Sequence, residues 1–199
     1  MNFIETKIPD VKIIEPVVFG DERGFFMETW QRRKFAEAGI DYEFVQDNHS
    51  RSIQGTLRGL HYQIKQPQGK LVRATVGVVF DVAVDLRQSS PTFGQWVGVE
   101  LSAENKRQLW VPPGFAHGFY AISKTVEFQY KCTDFYAPEY ERGIRWDDPD
   151  LGINWPLNSR KETDPLLSDK DRAAPSFSDA AIYVCMNDRP SGCATNPVL

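Results

Sequence analysis

At 199 residues with a formal net charge of −4, the chain is long enough to bury one core and short for two domains. No stretch gathers a basic surplus, which argues against a nucleic-acid partner, and no uninterrupted apolar run is long enough to cross a membrane. The start, Met1-Asn-Phe-Ile-Glu-Thr-Lys7, lacks the basic-then-apolar order of a signal region. Cys132, Cys185 and Cys193 are odd in number and lack metal-type spacing, so the chain reads as cytoplasmic, with Cys132 a small core residue.

In chain order, the first clear element is a helix over 30–38, closed by Gly39 as a carboxyl-terminal cap. The segment Gly55-Thr-Leu-Arg58-Gly-Leu-His61-Tyr-Gln63, followed by Gly69-Lys70-Leu-Val-Arg73, places one base and two cations around a turn. Over 72–86, Val72, Ala74, Val76, Val78, Phe80, Val82, Val84 and Leu86 share one parity, with Arg73, Thr75, Gly77, Asp81 and Asp85 on the other. That period of two predicts one long strand with a single core face. Shorter strands are expected over 96–101, 108–111, 118–122 and 126–133, separated by turns at 89–92, 102–105 and 112–114. Many short strands and few short helices predict an all-β sandwich or barrel. Beyond Asp171 the composition shifts to Ala, Pro, Ser, Asn and Asp. The expected division is a catalytic domain over 1–172 and a peripheral, partly disordered tail over 173–199.

Each candidate side chain has an ordinary reading beside its chemical one. A histidine in a strand, such as His61, is most often a satisfied structural residue. Lys70, however, shares parity with Val72 and Ala74 and so points its ammonium towards the core, where a cation is rare unless an anion meets it. His117 follows the turn Pro112-Pro-Gly114 and is returned by it to the inner face. Tyr130 shares parity with Phe128 and Cys132. It is either a core tyrosine bonded to backbone or a phenol placed to act as an acid. Asp171, in Leu167-Ser-Asp-Lys170-Asp171, is either a solvated turn residue or the partner that fixes a histidine tautomer. Strict alternation sends Arg58 and His61 to opposite faces, unless Gly59 bulges the strand.

The spacing Pro112-x-Gly114-x-x-His117 resembles the second signature of cupins, the double-stranded β-helix jelly-roll proteins that often hold iron or manganese. In metal-binding members a first signature supplies two histidines one residue apart and a glutamate. Here that stretch reads His61-Tyr62-Gln63, and an amide is a poor ligand for such metals. The expectation is a cupin barrel with no metal, its interior used for acid–base chemistry. A metal-dependent cupin oxygenase is the rival from another class, and a non-catalytic binding module is a third reading.

A longer set of motifs runs in order from about residue 3 to 172. It comprises Asp21-Glu-Arg23-Gly-Phe-Phe-Met-Glu28, Phe44-Val-Gln46-Asp47-Asn48-His49-Ser50, the His61 and Lys70 segments, Pro112-Pro-Gly-Phe-Ala-His117-Gly-Phe119, Glu127-Phe-Gln-Tyr130-Lys-Cys-Thr-Asp-Phe-Tyr136, Ile144-Arg-Trp-Asp-Asp-Pro149, Ile153-Asn-Trp-Pro156 and Leu167-Ser-Asp-Lys170-Asp171. Together they resemble the dTDP-4-dehydrorhamnose 3,5-epimerase family. The resemblance implies His61 as the base for the C3 and C5 protons, paired with Asp171. It implies Tyr130 as the acid from the opposite ring face, and Lys70 as the cation at the C4 oxygen. It implies substrate contacts from Arg23, Glu28, Gln46, Asp47, Asn48, Arg58, His117, Glu141 and Lys170, with Tyr136 stacking on thymine. It further implies a dTDP-4-keto-6-deoxyhexose substrate, no cofactor, and a homodimer with the amino-terminal strands packed across its interface. A sibling that epimerises only C3 or only C5 shares the base and often the acid.

Overall fold

The structure, a computed structural model, describes residues 1–157 and 164–184. Its thirteen strands are β1 (Asn2–Glu5), β2 (Lys12–Glu15), β3 (Val18–Asp21), β4 (Gly24–Met27), β5 (Gln46–Ile53), β6 (Leu57–Gln63), β7 (Lys70–Val76), β8 (Val78–Asp85), β9 (Trp96–Ser102), β10 (Gln108–Val111), β11 (Phe115–Ala121), β12 (Thr125–Cys132) and β13 (Glu141–Gly143). They form a six-stranded sheet in the order β1-β2-β10-β7-β12-β5, a five-stranded sheet in the order β13-β6-β11-β8-β9, and a β3–β4 hairpin. All strand pairings are antiparallel.

The two larger sheets face each other across a core built from Val72, Ala74, Leu109, Val126 and Phe128 on one side and Val79, Ala83, Val99, Phe115 and Phe119 on the other. This is the double-layered barrel of the expected cupin class. The helices are short. α1 (Arg32–Glu37) begins where the Gln31 side chain accepts the Lys34 N–H, and its chain turns away at Gly39 (φ +84°). Its Phe35 packs with Ile14, Leu71 and Trp110 on the outer face of the six-stranded sheet. α2 (Asp169–Arg172) is capped by Ser168.

The single strand expected over 72–86 is instead two strands in different sheets. The chain turns at Gly77 (φ +75°), where a Cβ would lie 2.2 Å from the Thr125 carbonyl oxygen. The turn inverts the parity. Along β7 the even residues face the barrel interior, whereas along β8 the interior takes Val79, Asp81 and Ala83. Val82, Val84 and Leu86 face outward, under a second cluster with Leu57, Tyr120, Ile144, Leu151, Trp155 and Tyr183. Burying one such side chain is worth about 1.5–3 kcal/mol, so covering both faces of β8 explains why its run of apolar residues hid the break.

The packed chain also continues past the boundary expected at Arg172. The Pro175 carbonyl accepts the Arg145 N–H, the Tyr62 hydroxyl donates to the Ala181 carbonyl, and the Tyr183 hydroxyl donates to the Gln63 carbonyl. Tyr183 is buried in the second cluster, so aromatic packing on the outer face of β6 overrides a loop-like composition. Cys132 is buried and unpaired, whereas Cys185 and Cys193 lie outside the described residues.

Gly59 supplies the bulge that alternation required. His117 of β11 stands opposite His61 and Phe119 opposite Arg58, so β6 spends one extra residue between the two and both reach the same face. At Gly59 φ is +121°, and a Cβ would lie 2.6 Å from Gly118 Cα and 2.7 Å from the His117 carbonyl oxygen. Gly59→Ala is therefore expected to destabilise the fold by about 2–4 kcal/mol, measured by urea unfolding. Stability within ~0.5 kcal/mol of the parent would show that the bulge relaxes freely.

Candidate active site

The open end of the barrel carries a polar row on each facing sheet. On the six-stranded sheet Cys132 stands between Gln46 and Lys70, and Tyr130 between Asn48 and Val72. Gln46 Nε2 donates to Asn48 Oδ1 (3.2 Å), and Asn48 Nδ2 donates to Cys132 Sγ (3.7 Å). On the five-stranded sheet His61 stands opposite His117, and Arg58 opposite Phe119.

His61 is joined through Nε2 to Oδ1 of Asp171 in a short hydrogen bond. The ring is 27 % exposed and the carboxylate 4 %, so the imidazole looks into the pocket with its anion behind it. Burial alone would raise the Asp171 carboxyl. The bonds from His61, the Ser168 hydroxyl (2.7 Å) and the Gly59 N–H outweigh it and hold the group below the usual carboxylate range. Capping of α2 by Ser168 orients this carboxylate, which explains why the polar loop is ordered where composition suggested a solvated turn.

A second dyad lies deeper. His117 Nε2 is 3.0 Å from both carboxylate oxygens of Asp81, which is fully buried. Burial pushes Asp81 upward despite the opposing pull of His117 and Lys70. The parity reversal at Gly77 is what hid Asp81 from a reading that assigned it to the outer face.

Lys70 forms no hydrogen bond or ion pair among the described residues. Burial lowers its ammonium below the ordinary lysine value, while Cys132, Asp81 and Glu141 pull it back up. Burial likewise raises the Tyr130 phenol, which Cys132 and Glu141 raise further and Arg58 lowers. Arg58 itself donates from Nε to Ser52 Oγ (3.1 Å) and from a terminal nitrogen to the Arg51 carbonyl (3.4 Å).

The wall between β12 and α2 completes the site. The Tyr136 hydroxyl donates to Glu141 Oε2 (2.8 Å), and Glu141 forms a short ion pair with Lys170, the neighbour of Asp171. Burial would raise Glu141, but the hydrogen bonds from Lys170 and Tyr136 and the Lys170 charge hold it low. Tyr136 leaves its ring 52 % exposed beside the opening.

Three expected contacts fall elsewhere. Asp47 alternates to the outer face of β5, away from Gln46 and Asn48, and pairs with Lys131 at 2.9 Å. Its place beside two pocket residues in sequence is what strand parity reverses. Arg23 lies at the turn of the β3–β4 hairpin, paired with Asp21 and with 85 % of its side chain exposed. Glu28 follows that hairpin and pairs with Lys34.

Among the described residues no cluster of three or more His, Cys, Asp or Glu side chains has the arrangement of a metal site. No helix there is long and apolar enough to cross a membrane.

Comparison with known proteins gives the arrangement a context. A family model described as dTDP-4-dehydrorhamnose 3,5-epimerase matches residues 5–179. The chain is 66 % identical over 184 residues to the dTDP-4-dehydrorhamnose 3,5-epimerase of Pseudomonas aeruginosa, covering 92 % of this chain and 99 % of that one. It is 60 % identical over 186 residues to the Shigella flexneri enzyme of the same name, covering 92 % and 100 %. Among solved structures, a dTDP-6-deoxy-D-glucose-3,5-epimerase of Legionella pneumophila, in complex with dTDP-4-keto-L-rhamnose, is 54 % identical with a TM-score of 0.88, covering 94 % of this chain and 99 % of that one. With ordered motifs, barrel and sequence identity in agreement over nearly its whole length, the chain belongs to the dTDP-4-dehydrorhamnose 3,5-epimerase family.

Proposed function

We propose that the protein converts dTDP-4-dehydro-6-deoxy-D-glucose to dTDP-4-dehydro-L-rhamnose by inverting C3 and C5. The observation that carries this reading is the His61–Asp171 pair on one sheet of a barrel whose facing sheet holds Lys70 and Tyr130.

The chemistry follows from the C4 ketone, which acidifies the hydrogens on both adjoining carbons. His61 takes the proton on the ring nitrogen that Asp171 does not occupy, and the C–H electron pair moves into an enolate with its charge on the C4 oxygen. Lys70 stabilises that charge, and removal of one such donor typically costs about 3 kcal/mol of barrier. Tyr130 returns a proton to carbon from the opposite side and recovers one from solvent, to which His61 releases the proton it took. Substrate and product have the same oxidation state, so this cofactor-independent isomerisation consumes no redox equivalent. Asn48, Gln46, Arg58, His117, Glu141 and Lys170 bind the sugar and diphosphate, and Tyr136 stacks on thymine.

A homodimer fits the same reading. The β3–β4 hairpin exposes Phe19, Phe25 and Phe26 at 64 %, 59 % and 70 %, an apolar surface of the kind that marks an interaction site. Burial of that hairpin on a second copy would bring Arg23 and Glu28 to the partner's pocket. The absence of a paired thiol at Cys132 accords with a reducing compartment, and we place the enzyme in the cytoplasm.

The proton chemistry is tested by NMR of dTDP-4-keto-6-deoxyglucose in D2O, with a 4-keto reductase trapping product. The parent is expected to deuterate C3 and C5 and yield dTDP-L-rhamnose; exchange at one carbon alone would make it a single-site epimerase. His61→Ala should abolish both exchanges, and Tyr130→Phe should keep proton removal but impair completed inversion. Undiminished exchange in the first, or normal L-sugar yield in the second, would remove that residue from its role.

The pH profile gives a separate check. Because the Lys70 ammonium is lowered and the Tyr130 phenol is raised, activity should fall on the alkaline side through the Lys70 titration, below about pH 10.4. Lys70→Arg keeps its charge past pH 12, so its residual activity should lose that limb. An unshifted limb would assign it to another group. For the dimer, Phe25→Ser with Phe26→Ser should give a monomer by sedimentation equilibrium and weaken dTDP binding; a parental dimer would place the interface elsewhere.

A further inference from the structure

Gln63 stands where a metal-binding cupin would carry its second histidine, and the chemistry above leaves it without a task. It is 4 % exposed, and its amide is fully engaged with main chain. Oε1 accepts the Ala137 N–H (2.9 Å), while Nε2 donates to the carbonyls of Gln66 (2.7 Å) and Phe135 (3.2 Å). An amide has two donor hydrogens and an acceptor oxygen, and all three face backbone groups of the correct polarity. Two of those groups flank Tyr136 on either side. The Tyr136 N–H itself donates to Gln46 Oε1 (2.9 Å), so three successive main-chain positions are tied to side chains of two strands.

This fixation matters because the Tyr136 ring is largely exposed and has little packing of its own to orient it. A stacking surface contributes most when its orientation is settled before the ligand arrives. The Gln63 backbone is held in turn, since its carbonyl accepts the Tyr183 hydroxyl and its Cα faces Glu141, the acceptor of the Tyr136 hydroxyl.

We propose that Gln63 is a positioning residue for nucleotide recognition: it clamps the 135–137 backbone so that the Tyr136 ring is presented, ready formed, to the base of the dTDP moiety. The proposal rests on the reading of Tyr136 as the base-stacking residue. Gln63 touches neither sugar nor base. Its loss therefore acts on binding of the nucleotide and leaves the proton chemistry intact.

The test is a double-mutant cycle on the full chain, read by titration calorimetry with dTDP alone and by steady-state kinetics with deuterium exchange at saturating sugar nucleotide. Gln63→Ala is expected to weaken dTDP and raise KM by about tenfold, the loss of one to two buried hydrogen bonds, with kcat and exchange within about twofold of the parent. Tyr136→Ala should weaken dTDP similarly, and the double variant should be no worse than Tyr136→Ala. Gln63→Met removes both donors and the acceptor at nearly constant volume and adds no charge. It should weaken dTDP as Gln63→Ala does, and it carries the same cycle if the alanine variant does not fold. Unchanged dTDP affinity in the Gln63 variants while Tyr136→Ala binds weakly would overturn the clamp alone. Additive losses, or a fall in kcat at constant KM, would do the same. Full dTDP affinity in Tyr136→Ala would remove the stacking reading and the clamp with it.

Discussion

The barrel interior is apolar from Val79 to Phe128, and into its open end the chain introduces Lys70, Asp81, His117, His61 and Asp171. Charge in such a place is costly unless it is paired, because water no longer screens or solvates it. The pairing pattern is consequently informative. Among the described residues Asp81 and Asp171 each have a histidine, Glu141 has Lys170 and Tyr136, and Lys70 has only the more distant field of Asp81, Glu141 and Cys132. A cation kept inside a barrel without a direct partner is prepared to meet a negative charge that arrives later. An enolate oxygen on a bound sugar is such a charge, and the low dielectric that makes Lys70 expensive at rest strengthens its interaction with that oxygen.

Much of this was legible in sequence because alternation is a strict geometric rule along an unbroken strand. Lys70, Val72 and Ala74 on β7, and Phe128, Tyr130 and Cys132 on β12, point where a period of two sends them. Strict alternation fails wherever a strand is interrupted by a residue whose conformation is unusual, as the reading allowed at Gly59 and missed at Gly77. Gly77 divides one apparent strand into two and reverses the parity of everything after it, which hid Asp81. Gly59 adds a residue to β6 and so reunites Arg58 with His61. Both are glycines at positive φ with backbone of another strand in the space of a Cβ, and a glycine inside an alternating run is the signal that alternation alone overlooks. Asp47 is the opposite case, where nearness in sequence to Gln46 and Asn48 suggested a shared task that parity forbids.

The carboxyl-terminal side shows a different limit. Asp171, Lys170 and Tyr183 sit in segments of polar, small-residue composition, and no periodicity marks them. Their order comes from contacts far along the chain: Ser168 capping α2, His61 drawing Asp171 inward, and β6 accepting Tyr183. Such long-range contacts leave little trace in local sequence. Only the family motif Leu167-Ser-Asp-Lys170-Asp171 made these residues visible, whereas Tyr183 lies beyond any motif.

Inversion at carbon sets a demand that the two-layered barrel meets directly. The proton must leave one face of the sugar ring and return on the other, so base and acid have to approach from opposite sides of a thin, flat substrate. A single sheet presents its side chains in one direction and would favour return to the face of departure. Under the proposed roles, facing sheets meet this demand: His61 comes from the five-stranded layer, and Tyr130 and Lys70 from the six-stranded one. C3 and C5 flank the same C4 carbonyl, so a single oxyanion cation serves either enolate, and one base–acid pair can serve both carbons if the sugar shifts between them. The spacing of the layers is held by Phe119 and Phe128, whose ring centroids lie 4.4 Å apart just inside the site. The same aromatic packing that stabilises the barrel thereby fixes the gap across which the proton must be exchanged.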